Sequence, residues 1–236
     1  MKKIIHYSFI ILSISLQSCL KVIVKKYELD SKTPKLEKIE IKNKDVFFLG
    51  MSHLAKNEFY ENTKLLIADL QAKGYIFYVE SITELKNKNI PIDTLSVKKL
   101  RKLTDLDLTI RFSNSKNPYL QKLKNKYTLV DQPSYESLGV KNFKRIDYLY
   151  TELINFYEMK YKVITLDSCD LKTDITKDYN CETLNLAAKI NFTNEIVLNM
   201  RNKLIADSLV NSGDSKIVVI YGKMHLKGIK DYLKSK

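Results

Sequence analysis

The chain has 236 residues, of which 44% are apolar and 28% charged, and carries a formal charge of +13 at pH 7. Of its 40 basic residues only four are arginine (Arg101, Arg111, Arg145 and Arg201), and the lysines are spread along the whole length. Nucleic-acid binders cluster their basic residues and favour arginine for bidentate contacts, so the composition argues against a nucleic-acid partner and for a solvated basic face drawn to anionic surfaces.

The first nineteen residues, MKKIIHYSFIILSISLQSC, place Lys2 and Lys3 ahead of a mostly apolar run from Ile4 to Leu16. That run is too short and too interrupted for a permanent membrane span and reads as a secretory signal over residues 1–18. Leu16-Gln17-Ser18-Cys19 resembles the lipobox of bacterial lipoproteins, which implies cleavage before Cys19, lipid chains on that cysteine and membrane anchoring through them. Loss of 1–18 removes two lysines and no acid, taking the charge from +13 to +11. The expected location is the bacterial cell envelope, on the outer membrane, because Leu20 is not the aspartate that retains some lipoproteins at the inner one. The remaining residues, about 218, suffice for one core.

Residues 19–44 are lysine-rich with short alternating pieces such as Ile39-Glu40-Ile41, predicting a tether that leads into an edge strand or hairpin. Val46-Phe47-Phe48-Leu49 has the continuous apolar character of a fully buried strand. Phe59, Thr63, Leu66, Ile67 and Leu70 then follow helical spacing, and Gly74 suits the helix end. Tyr75–Val79 predicts the next buried strand, closed by Glu80; strand, helix and strand in this order form a parallel crossover. A polar stretch over 83–125 predicts two or three short helices. Tyr127–Val130 predicts a third strand, ending on Asp131, and Ile146, Leu149, Leu153, Phe156 and Tyr157 share one stripe of a long helix. Cys169 and Cys181, twelve apart in a polar segment, suit a local disulfide outside the cytoplasm or, with less support, a metal pair. A second long helix is predicted over about 190–211, then a strand over Lys216–Tyr221 and a short terminal helix. Strands alternating with helices predict an α/β domain over 45–236 with a mainly parallel sheet flanked by helices.

The chemistry-bearing residues fall at strand ends. Three histidines are present, and the two outside the leader, His53 and His225, each stand three residues after a glycine and before a leucine, in "GMSHL" and "GKMHL". Open parallel sheets place their sites beyond the carboxyl ends of the strands, so Gly50 with His53, Glu80, Asp131, and Gly222 with His225 are expected at one edge, each histidine near the start of the following helix. Arg201 shares a helix face with Val197, Leu204 and Ile205, and a guanidinium on an apolar face must meet an acid or a ligand. Two imidazoles and a carboxylate could hold a divalent ion; alternatively one neutral histidine could act as a general base. The spacing leaves both open.

The segments "FFLGMSHL", "YVES", "RNKLIADSL" and "IVVIYGKMHLKGI" together resemble the TraB/GumN/Tiki group, which is similar to the ChaN and erythromycin-esterase-like hydrolases. The resemblance covers 45–233 and rests on Gly50 with His53, on Glu80, on Arg201 with Asn202, and on Gly222, His225 and Gly228. It implies a ChaN/EreA-like α/β fold and a membrane-anchored hydrolase of peptides or small ester or amide substrates outside the cytoplasm. His53, Glu80, Arg201 and His225 would be catalytic. His53, Glu80 and His225 would hold manganese or cobalt, or no metal if the chain works like the esterases. Arg201 would stabilise the oxyanion or a substrate carboxylate, and Gly50, Asn202 and Gly222 would line the substrate. The family pattern has an acid followed by arginine after the third strand, where this chain has Asp131-Gln132. A lipoprotein that captures a peptide or pheromone in the same cleft without turnover is the alternative reading, and a structural or adhesion lipoprotein with incidental histidines is the third.

Overall fold

The computed structural model describes residues 28–81, 93–104 and 118–235, together with 22, 24 and 25. The leader and the lipidation residue Cys19 lie outside the described residues.

Five strands form the main sheet, in the order β1 (Leu36–Ile41), β2 (Lys44–Met51), β7 (Lys216–Gly222), β4 (Ile76–Val79) and β6 (Phe143–Arg145). β1 turns back on β2 as an antiparallel hairpin, with Asn43 at a positive φ of 61° in the turn, a conformation that asparagine tolerates. β2, β7, β4 and β6 run parallel. The mainly parallel α/β sheet expected from the sequence is therefore present.

Alternation along the strands shows why they are apolar throughout. Leu49, Met51, Phe77, Val79, Val218 and Ile220 pack with Phe59, Tyr60, Ile67 and Leu70 of helix α1 (Asn57–Ala72). Val46, Phe48, Tyr78, Ile217, Val219 and Tyr221 face the opposite way, onto Ile205 and Leu209 of α7 (Arg201–Asn211) and Ile229 of α8 (His225–Lys234). Side chains on successive residues of a strand point to opposite faces, so a strand covered by helices on both faces needs apolar residues at every position. α1 stops where expected: Gly74 takes φ 81°, and the Tyr75 N–H returns to the Leu70 carbonyl at 3.1 Å, a glycine C-cap.

A helical layer lies beside the sheet. It comprises α2 (Thr94–Thr104), α4 (Tyr150–Lys160), α5 (Ser168–Lys172) and α6 (Leu186–Asn191), packed around Leu100, Leu103, Tyr150, Leu153, Tyr157 and Phe192. From α6 the chain continues without leaving helical dihedrals through a π-helical segment, Phe192–Met200, into α7. The predicted second long helix thus spans 186–211, with its middle widened. Cys169 and Cys181 are joined by a disulfide. The buried carboxyl of Asp170 accepts from Lys102 Nζ and from the Tyr179 hydroxyl at 2.6 Å.

Three expectations are corrected. The strand at 127–130 is β5 (Leu129–Asp131), which follows helix α3 (Pro118–Tyr127) and pairs antiparallel with β3 (Leu54–Lys56) in a separate two-stranded sheet, so Asp131 ends no strand of the main sheet. His53 is followed by β3, not directly by a helix, because the chain after "GMSH" stays extended to meet β5. Ile146 precedes the long helix and prolongs β6, donating its N–H to the Val79 carbonyl at 3.3 Å.

Candidate functional site

Strand parity sets the site. Glu80 follows Val79 at the end of β4 and points to the same side of the sheet as Tyr78, which is the side of α7. There it meets Arg201, the first residue of α7, where the π segment hands over to the regular helix. Arg201 is 2% exposed and lies between two carboxylates. Its Nη2 donates to Glu80 Oε1 at 2.7 Å and to Asp147 Oδ2 at 2.8 Å, and its Nε donates to Asp147 Oδ1 at 2.8 Å. The guanidinium also stacks over the Tyr221 ring at 5.3 Å.

His225, buried at the start of α8, completes the cluster. Arg201 Nη1 lies 3.4 Å from its Nε2, and Asn202 Oδ1 lies 2.7 Å from its Nδ1. Arginine can only donate, so Nε2 must accept, and the neutral ring then carries its proton on Nδ1 and donates to Asn202. Burial and the adjacent Arg201 charge depress the His225 pKa to about 4, with Glu80 opposing. The ring is therefore uncharged at neutral pH.

The two carboxylates differ. Burial alone would raise Glu80, but the charge of Arg201, the Arg201 hydrogen bond and the Gly222 N–H, which donates to Oε2 at 2.6 Å, hold it below the usual range. Burial pushes Asp147 up; its bidentate pair with Arg201 works against this, and the neighbouring Glu80 charge adds to it. The Ser81 and Tyr148 N–H groups also donate to Asp147, at 2.8 and 2.9 Å. Arg201 itself is held protonated against burial by Asp147 and Glu80. With both acids ionised and the imidazole neutral, the cluster carries one surplus negative charge.

The glycines play unequal parts. Gly228 admits Asn202: a Cβ there would lie 2.0 Å from Asn202 Nδ2. A Cβ on Gly50 would overlap Lys223 Cγ at 2.8 Å and touch Phe48 and the Lys223 backbone, so Gly50 lets the turn after β7 approach β2, whereas one on Gly222 would make ordinary contacts with Glu80 and His225. Gly222 serves through its N–H, while Gly50 sits in β2 opposite Tyr221.

His53 stands at the same strand edge with its side chain exposed. The segment after β5 links its corner to the cluster. The Gln132 N–H donates to the His53 carbonyl at 2.9 Å, and the Tyr135 hydroxyl donates to the Glu80 carbonyl at 2.8 Å. The second histidine motif is tied to the first by the Lys223 N–H, which donates to the Met51 carbonyl at 3.1 Å. Asp131 lies opposite Leu54 in β5; after burial, its charge is the second influence raising the Tyr60 phenol.

The metal set expected from the sequence is not assembled: among the described residues no group of three or more His, Cys, Asp or Glu side chains could hold a metal ion. The donor chemistry gives the reason. Glu80 Oε1 and His225 Nε2 both face the guanidinium of Arg201, so an ion that reached both would sit beside a fixed positive charge. The expected oxyanion role of Arg201 is also reduced, since Glu80 and Asp147 already engage three of its five N–H groups. Asp147, absent from the sequence reading, is the residue most closely bound to Arg201. Its only signal was an acid following Ile146 just before a helix.

Comparison with known proteins leaves the family open: no family model matches the chain, no curated protein matches its sequence and no solved structure matches its fold.

Proposed function

We propose that this protein is a hydrolase of peptides or of small ester or amide substrates, acting in the cell envelope of a bacterium and anchored there by lipid on Cys19. The resemblance to the TraB/GumN/Tiki group motivates the reaction class. The observation that carries it is the buried cluster of Arg201, Glu80, Asp147, His225 and Asn202 at the carboxyl edge of the sheet, the edge at which the exposed His53 also follows β2. Burying three charges costs more than an apolar core of the same volume, so a folding role alone is a poor reason for such a cluster.

The proposed chemistry needs no metal. His53, exposed at the edge, takes a proton from the attacking water and returns it to the leaving amine or alcohol. Neutral His225, fixed by Asn202, keeps Arg201 in place without adding a second positive charge.

Purified full-length protein assayed against fluorogenic peptides and nitrophenyl esters tests this reading. Turnover should survive a chelator and be abolished by His53→Asn. Turnover that requires added manganese or cobalt would restore the metal-dependent version. Peptide binding without product, lost in His53→Asn, would identify a binding lipoprotein instead; the thoroughly satisfied hydrogen bonding of the cluster favours that second reading.

A further inference from the structure

Few large apolar side chains are exposed among the described residues, and five of them come from two short segments: Met159, Tyr161 and Val163 at the end of α4, and Leu186 and Ile190 on α6. Met159 is 85% exposed and Leu186 71%. The segments border one open cavity of about 360 Å³, with Lys160, Tyr161 and Lys162 on one side and Asn185, Ala187 and Asn191 on the other. Buried Ile164 anchors the chain just beyond, its N–H donating to Glu158 Oε1 at 2.8 Å, and 161–163 are held outward.

The charge is one-sided. Residues 159–163 and 185–191 contain Lys160, Lys162 and Lys189 and no acid. Glu158 is turned inward onto Lys99 at 2.8 Å. Glu195 reaches Lys160 at 2.9 Å, with both side chains about half exposed, and such a pair is worth little and exchanges readily.

We propose that this face docks on an anionic bilayer. The apolar tips would enter the boundary between headgroups and acyl chains, the lysines would meet lipid phosphates, and the cavity would receive one headgroup. The alternation in Met159-Lys160-Tyr161-Lys162-Val163 favours a bilayer over a protein. A protein interface would have to strip water from each interposed ammonium, whereas at a membrane lysines extend to the phosphate level while their apolar neighbours sink below it. Tyrosine, with an apolar ring and a polar tip, suits the same depth. The contact is separate from the lipid on Cys19 and from the strand-edge cluster. A lipid anchor tethers the chain; this face would fix its orientation.

The absence of tryptophan from the chain gives a clean probe. Full-length Val163→Trp protein is reconstituted into vesicles of equal parts phosphatidylglycerol and phosphatidylcholine, or of phosphatidylcholine alone, with brominated acyl chains as quencher. A Leu65→Trp protein, with the probe on the exposed surface of α1, is the control. The expected result is quenching of the Val163→Trp signal in the anionic vesicles only, with the control unquenched in both. Each of Lys160→Gln and Lys162→Gln should lower the ratio of docked to undocked protein about fivefold. Circular dichroism checks that each variant is folded. Equal quenching of probe and control, or none at Val163→Trp in anionic vesicles, overturns the proposal. So does a fluorescence response to soluble polyglutamate that exceeds the response to vesicles, which would make the face an acidic-peptide site.

Discussion

His225 should make this protein's stability fall as the pH drops from neutral. In the unfolded chain its imidazole takes a proton near the ordinary value of 6.5, whereas in the fold burial and Arg201 delay protonation to about pH 4. The folded pKa is the lower one, so between these values the unfolded state binds more protons and acid favours unfolding. The full difference, 2.5 pH units at 1.36 kcal/mol each, is about 3.4 kcal/mol, and the part already lost at pH 5 relative to pH 7.5 is about 2 kcal/mol. For a chain of this size that lowers the melting temperature by about 6 °C. The two carboxylates act in opposite senses as the pH falls: Glu80, held low, loses stability on protonation, while Asp147, held high, gains it. Urea unfolding at pH 7.5, 6.5, 5.8 and 5.0 measures the slope, and His225→Gln should flatten it while lowering stability at pH 7.5. Parallel slopes for wild type and His225→Gln would refute the assignment of a neutral, desolvated imidazole at this position.

Asp147→Asn should cost about 3–5 kcal/mol in urea unfolding. Each of its oxygens accepts two N–H groups, so an amide nitrogen at either place would face two donors; a loss under 1 kcal/mol would contradict this network. Gly228→Ala should destabilise by about 1–3 kcal/mol by driving a methyl into Asn202. Asn202→Ala should relieve that clash, so the double variant should lose less than the sum of the singles in calorimetry. Reduction of Cys169–Cys181 should lower stability by about 3 kcal/mol, read as a drop in melting temperature on adding dithiothreitol; an unchanged melt would show that Asp170 and its partners hold the segment alone.

Arg201 was legible because a guanidinium stands on an apolar helix face, Glu80 because it closes an apolar strand, and His225 because its glycine–histidine–leucine phrase repeats that of His53. Burial on both sides of the sheet made β2, β4 and β7 read as unbroken apolar runs. Asp147 was invisible for the opposite reason. Its strand, β6, has the exposed sequence Phe143-Lys144-Arg145 at the sheet's edge, and a short exposed strand looks like a loop. β5 was found but joined to the wrong sheet, since strands of three residues are placed by tertiary partners that no local pattern encodes. The π segment left no trace either, because Ile196 and Val197 suit a regular helix as well as a widened one. Arg201 stands directly after that widening.

The order of the strands has a consequence for the newly made chain. β7, the latest strand along the sequence among the described residues, lies at the centre of the main sheet between β2 and β4. Until residues 216–222 have been synthesised, β2 and β4 each present a bare row of backbone donors and acceptors along an apolar strand, the kind of edge that recruits other chains. Glu80 meanwhile lacks the Gly222 N–H, and His225 has not joined Asn202 and Arg201. Folding from the N-terminus therefore cannot be progressive: the sheet and the cluster close together, in one late step joining strands far apart in sequence, which makes that step slow and exposed to aggregation. A nascent chain halted before residue 216 would hold β2 and β4 without the strand that joins them, and would depend on chaperones to keep those two edges apart.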